Sequence, residues 1–151
     1  MRQSVAAIAL IRDQDLWLAQ WNDGWQAYNF VGGHKHDDES FRECVIREID
    51  EELQLTEPNV QVADQPLARV DYIAWSQRAN EDTRYIMEVF AVQLGGPHAR
   101  QIVDNEPNNR WLSESEIKTQ RCVDGRPVSE TMNLLLSKSG LPSSRFKPVR
   151  F

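Results

Sequence analysis

Cysteine is scarce in this chain, with two residues, Cys44 and Cys122, among 151. Neither stands in a C-x-x-C spacing or beside a histidine, which excludes a zinc knuckle, a dithiol redox centre and a disulfide scaffold. A reducing, cytoplasmic setting is the default expectation. No stretch approaches the ~18 apolar residues that a membrane span requires, so no membrane partner is expected. The apolar run near the N-terminus, Val5 to Ile11, is followed by Arg12 and Asp13 rather than by a small-residue cleavage site, and it reads as a strand, not a signal peptide. Positive charge is also in deficit, with 17 Lys and Arg against 23 Asp and Glu and a net charge of -6. That balance argues against a duplex nucleic acid partner, which needs a basic surface. Repeats and low-complexity segments are missing as well.

What is present is an ordinary globular composition, 40% hydrophobic and 26% charged, in a length suited to one well-buried core. One domain over residues 1–151 is expected. The most informative stretch runs from Gly33 to Leu55 and reads GHKHDDESFRECVIREIDEELQL. Ser40 followed by Glu43 forms a capping box, Asp37 to Glu39 suit a helix N-terminus, and no Gly or Pro interrupts before Pro58. The apolar face of the helix so defined runs through Phe41, Val45, Ile49 and Leu53, with Cys44 at its edge as a small buried hydrophobe. Glu48, Glu51 and Glu52 share an arc of about 100°. Glu48 and Glu52 flank the apolar stripe, whereas Glu43 and Asp50 project away from it. Carboxylates gathered at the rim of a core repel one another unless a cation joins them, and oxygen ligands of this kind select hard cations such as Mg²⁺ or Mn²⁺. Gly32 and Gly33 just upstream would let the backbone approach a metal or a phosphate closely.

This stretch resembles the Nudix box, G-x5-E-x7-R-E-U-x-E-E-x-G-U with U aliphatic. Gly33, Glu39, Arg47, Glu48, Ile49, Glu51, Glu52 and Leu55 fill eight of its nine defined positions without a gap. By average residue usage, chance would supply that in fewer than about one in 10^5 chains of this size. The departures are Gln54, where the family has a glycine that normally ends the helix in a left-handed conformation, and Val31, where the family commonly has proline. Both bear on backbone shape rather than on catalytic side chains.

The remaining pattern predicts strands over Val5–Ile11, Leu16–Trp21, Tyr28–Val31, Val60–Ala63, Leu67–Trp75 and Arg84–Leu94, the first two forming a hairpin. Gly95-Gly96-Pro97 ends the last of these. A loop is expected over His98–Arg110, a short strand at Trp111-Leu112, a short helix capped by Ser113 and Glu116, and a helix opened by Pro127 with Val128, Met132, Leu135 and Leu136 on one face and Gly140 past its end. Periodicity alone therefore predicts an α/β protein with a mixed sheet. The resemblance implies the Nudix fold, a mixed β-sheet sandwiched between α-helices, from about Gln3 to Ser139. The segment 139–151 reads as a basic C-terminal tail, packed on the domain's own surface or on a second copy in a homodimer.

The resemblance further implies a divalent-metal-dependent hydrolase that cleaves a phosphoanhydride bond in a nucleoside diphosphate derivative by metal-activated water. In that reading Glu48, Glu51 and Glu52 hold Mg²⁺ or Mn²⁺ together with the Gly32 carbonyl, and Arg47 orients a glutamate through bidentate hydrogen bonds. The proton acceptor lies either within the box, at Glu48, or in the 98–110 loop, at Glu106 with Asp104 as its rival. Glu88, mid-strand in an apolar run, is costly to bury unpaired and is a further candidate. Tyr72 follows Leu55 by seventeen residues, near a tyrosine that marks dinucleoside polyphosphate hydrolases in the family, while Pro66 comes too early for the ADP-ribose hydrolase proline. Tyr72 is otherwise a core residue of its strand. Trp25 and Tyr28, with Trp17 and Trp21, approach the glycine loop and are candidates to stack a nucleobase or to pack the core. The alternative function is a non-catalytic Nudix-fold module that binds a nucleotide or a metal. A ligand-sensing regulator would need a second, DNA-binding domain, for which this length leaves no room.

Overall fold

The computed structural model describes residues 1–140; the predicted tail, from 141 on, lies outside the described residues. The chain runs β1 (Arg2–Asp13), β2 (Leu16–Asn22), β3 (Ala27–Asn29), β4 (Val31–His34), α1 (Phe41–Leu53), β5 (Val60–Val62), β6 (Ala68–Ser76), β7 (Glu81–Leu94), α2 (Pro97–Asp104), β8 (Asn109–Ser113), α3 (Glu114–Thr119) and α4 (Glu130–Ser139). The strands form one mixed sheet in the order β3-β2-β1-β7-β5, with β4 also on β1, β6 also on β7 and β8 on β2. Among these pairs only β1 with β7 is parallel, from Arg2 opposite Thr83 to Ile11 opposite Val92. This is the mixed α/β architecture expected from the element order. Among the described residues no helix is long and apolar enough to cross a membrane.

The strand β1 organises the molecule because its alternate residues serve two cores. Ala7, Ala9 and Ile11 face Cys44, Val45, Ile49 and Leu53 of α1 and Ala99 and Val103 of α2. Ile8 and Leu10 face Met132, Leu135 and Leu136 of α4 and Ile117 of α3. A period of two along the strand thus buries one stripe against each helical layer. The apolar face predicted for α1 is the one that is buried, and both capping boxes, Ser40 with Glu43 and Ser113 with Glu116, are formed.

Four expectations are corrected. The β1–β2 hairpin pairs only at its tip, at Arg12 with Trp17 and Asp13 with Leu16, because β4 takes the same edge of β1 from Ala6 to Ala9. The single strand predicted over Tyr28–Val31 breaks at Phe30, which lets β3 pair with β2 while β4 pairs with β1. Residues 98–104 of the expected loop belong to α2, opened by Pro97 at its first turn and anchored by buried Ala99 and Val103. Pro127 does not open the last helix. It bridges Arg121, Val128 bridges Tyr28, and the helix begins three residues after Pro127, at Glu130, capped by Ser129.

Candidate metal centre and active site

The site is built where β4 runs under α1. Gly33 pairs with Ala7 on β1, which directs it toward the α1 layer, and a Cβ on Gly33 would fall on the carboxylate of Glu48. The missing side chain is therefore the space that Glu48 fills. Gly32 faces the other way, where a Cβ would strike the Ala7 carbonyl oxygen. The two glycines thus do different work: Gly32 permits close strand pairing, and Gly33 seats an acid.

Glu48 is buried, whereas Glu51 and Glu52 are exposed. The expectation that Glu52 lies as close to the core as Glu48 is corrected by this difference. Burial pushes the Glu48 carboxyl above the usual carboxylate range; Arg47 opposes that shift, and Glu51 and Glu52 add to it. Among the described residues no three His, Cys, Asp or Glu side chains converge as a ready-made cation cage. The acids instead turn to Arg47. Its Nε donates to Glu39 Oε2 at 3.0 Å and its Nη2 to Glu39 Oε1 at 2.7 Å and to the His34 carbonyl at 3.1 Å. Its Nη1 donates to Glu48 Oε1 at 3.1 Å and to both oxygens of Glu51 at 3.2 Å. The two-pronged contact thus falls on Glu39, with single-nitrogen contacts to Glu48 and Glu51. Those bonds hold the Glu39 carboxyl down to about 2 and raise Arg47 further. Glu39 also accepts from the His36 amide at 2.9 Å, which ties the loop to the helix.

Nearby groups complete the surroundings. Cys44 is buried, its thiol pushed up to about 11 by burial, in keeping with an inert packing role. Gln54 takes the left-handed conformation at the helix end, φ 54° and ψ 40°, that the family glycine would supply, and its amide donates to the Glu51 carbonyl at 3.1 Å. Glu88 lies opposite Ala7 on β7, in one cross-sheet row with Gly33, and accepts from Arg69 at 2.7 Å. Local pattern did not single out Gln20, whose amide donates to the Glu52 carbonyl at 3.3 Å and ties β2 to the end of α1.

The other candidates are spread more widely. Glu106 sits in the turn after α2, where one carboxylate oxygen accepts from the Asn108 amide at 3.1 Å. Asp104 belongs to α2 rather than to a loop, and its carboxylate is taken by Arg100 and by Trp111 Nε1 at 2.8 Å. Arg100 also pairs with Asp13. Asp13 lies six residues along β1 from the Gly33 partner Ala7, about 20 Å at strand spacing. Tyr72 stacks on Tyr85 at 5.3 Å and joins the α4-side core, across the sheet from Glu48. Tyr28 is 2% exposed, edge-on to Trp21 and bonded through its hydroxyl to Arg126, so its ring presents no open face for stacking. Trp25, in the turn between β2 and β3, is 49% exposed. Trp17 is fully buried.

A glutamate-bearing helix laid on a glycine strand of a mixed sheet is the arrangement that the family match concerns. The NUDIX domain model matches residues 1–132, and the chain belongs to the Nudix family. No curated protein matches the chain. Among solved structures, the C. elegans Ap4A hydrolase is similar at TM-score 0.60 and 18% identity, covering 93% of this chain and 97% of that one. A NUDIX hydrolase from Nitrosomonas europaea is similar at TM-score 0.63 and 17% identity, covering 96% and 93%. Shewanella oneidensis NrtR is similar at TM-score 0.66 and 16% identity, covering 91% of this chain but 62% of that one, and has also been solved with a 27mer DNA. At these identities the likeness is one of fold, and it does not exclude nucleic acid as a partner.

Proposed function

We propose that the protein is a divalent-cation-dependent pyrophosphohydrolase acting on a nucleoside diphosphate derivative. The observation that carries this reading is the seat of Glu48: a buried carboxylate lodged in the space of the Gly33 side chain, with Glu51 and Glu52 on the same arc of α1. Burying an acid there is costly, and Arg47 offsets only part of the burial that pushes its carboxyl above the usual range. A hard divalent ion, Mg²⁺ or Mn²⁺, suits the all-oxygen donor set of Glu48, Glu51, Glu52 and the Gly32 carbonyl. When bound, such an ion neutralises phosphate charge and makes a water more acidic.

The side chains then have separable tasks. Glu51 and Glu52, exposed at the helix surface, meet the solvent side from which a charged substrate arrives. Glu39 and Arg47 hold the loop and the helix in register. A water oxygen attacks phosphorus, the bridging P–O bond breaks, and the water proton passes to a carboxylate. Glu48, with its raised pKa, and Glu106, outside the box, are the candidate acceptors. Exposed Trp25 is the candidate among the aromatics to meet a base.

The test is turnover across nucleoside triphosphates, dinucleoside polyphosphates and nucleotide sugars with Mg²⁺, in wild type and in Glu48→Gln. The variant should lose at least ~100-fold in kcat. Wild-type turnover in the variant, or none in the wild type on any substrate, would overturn the reading in favour of a non-catalytic binding module.

A further inference from the structure

Arg47 already engages two of the acids that the proposed function gives to a divalent ion, and the two edges of its guanidinium are held unequally. One edge, Nε and Nη2, is anchored by three bonds to oxygen, two on Glu39 and one on the His34 carbonyl, with a longer contact from Nη2 to Cys44 Sγ at 3.8 Å. The other edge is the single nitrogen Nη1, which faces three carboxylate oxygens, one from Glu48 and two from Glu51, at 3.1 to 3.2 Å. Nη1 carries two hydrogens for three carboxylate oxygens, none closer than 3.1 Å, whereas Nη2 keeps one short bond at 2.7 Å to Glu39. The Glu39 contact is the short, parallel pair expected of a strong guanidinium–carboxylate fork.

We propose that Arg47 Nη1 is the resident counter-cation of the site, and that divalent binding is an exchange in which Glu48 and Glu51 release Nη1 while Glu39 keeps the guanidinium in place. The inference rests on the reading of Glu48, Glu51 and Glu52 as cation ligands, and it adds a competitor to them. It also accounts for the fork falling on Glu39. An arginine that served only to aim a ligand would direct its fork at that ligand. Here the fork secures the arginine itself, and the single nitrogen meets the acids that must change partners.

Exchange and simple positioning predict opposite signs. If Arg47 only positions Glu48, every substitution weakens divalent binding. If Arg47 competes, removing its charge leaves the acids uncompensated, so the cation-free protein becomes less stable while the divalent ion binds more tightly. Calorimetric titration of Mn²⁺ into cation-free wild type, Arg47→Gln and Arg47→Lys separates the two. Exchange requires Arg47→Gln to bind at least about threefold more tightly than wild type, with a larger rise in melting temperature on Mn²⁺ addition, and Arg47→Lys, which keeps the charge, to gain nothing. In wild type, nuclear magnetic resonance of the arginine side chain gives a measure that needs no variant. On Mg²⁺ saturation the Arg47 Nη1 protons should exchange with water faster while the Nε proton stays protected. Weaker Mn²⁺ binding in Arg47→Gln, or Nη1 protons unmoved by Mg²⁺, overturns the exchange and leaves the cation site standing. No Mn²⁺ binding by wild type overturns the cation site and the exchange together.

Discussion

The Glu48 carboxylate occupies the position that a side chain on Gly33 would take. The seat of an acid on α1 is thus defined by an absence on β4, and the two residues are one unit although fifteen positions separate them in the chain.

The first prediction follows from that contact. In Gly33→Ala the nearest atoms to the new methyl are the far end of a flexible glutamate, which can swing away, so the melting temperature of the cation-free protein should change little. Divalent affinity should drop by at least ~10-fold as Glu48 leaves its seat. Gly32→Ala should show the reverse, a loss of about 1–3 kcal/mol in stability, because its methyl meets backbone. Calorimetry and thermal melts on both variants check the pair, and equal effects in the two would refute it.

The second concerns acid stability. Glu39, held down to about 2 mainly by hydrogen bonds from Arg47, has a folded pKa below its unfolded one. Its contribution is therefore present above the ordinary carboxylate range and is lost as pH falls from there toward 2. Glu39→Gln should melt lower than wild type at neutral pH and should show a shallower decline between about pH 5 and pH 2. Parallel melting curves for the two proteins through that window would contradict this.

The third distinguishes the acids outside the box. Asp104 is bound by Arg100 and Trp111, so Asp104→Asn should cost about 1 kcal/mol of stability and leave kcat unchanged. If Glu106 accepts the proton, Glu106→Gln should lower kcat by ~100-fold with KM and divalent affinity intact. Unchanged kcat in Glu106→Gln would move the proton acceptor into the box, to Glu48.

The fourth concerns the helix end. Gln54 sits at φ 54°, a conformation unfavourable to a residue with a Cβ. Gln54→Gly should raise stability by about 0.5 kcal/mol, the relief of strain exceeding the added chain entropy and the lost bond to Glu51. Chemical denaturation measures it, and a loss of stability would show that the side-chain bond matters more than the backbone.

What was legible in the sequence followed from local rules. Ser40 with Glu43 and Ser113 with Glu116 are short-range devices, and both formed. The buried face of α1 was readable because Phe41, Val45, Ile49 and Leu53 repeat at helical spacing. What stayed hidden depends on partners far along the chain. Nothing local marks Phe30 as the point where one strand divides between two neighbours, and Pro97 looked like a strand terminator when it is also a helix opener. Glu48 and Glu52 flank the apolar stripe alike on a helical wheel, yet Glu48 is buried against Gly33 and Glu52 is exposed. Tyr28 could not be told from a stacking residue until Trp21 and Arg126 were seen around it.

The position of β1 also governs when the site can come into being. Gly32 and Gly33 pair with Ile8 and Ala7, close in the chain, but the opposite edge of those same residues pairs with Val89 and Glu88. Joining them closes a loop of some eighty residues, which is entropically slow and is repaid only when the whole strand pair docks. A nascent chain that has exposed α1 but not yet β7 therefore holds Glu48, Glu51 and Glu52 and the strands β1 and β4 while the other edge of β1 is still unpaired. Closure of the sheet at β7 is thus the long-range step that the local β1–β4–α1 contacts do not by themselves complete.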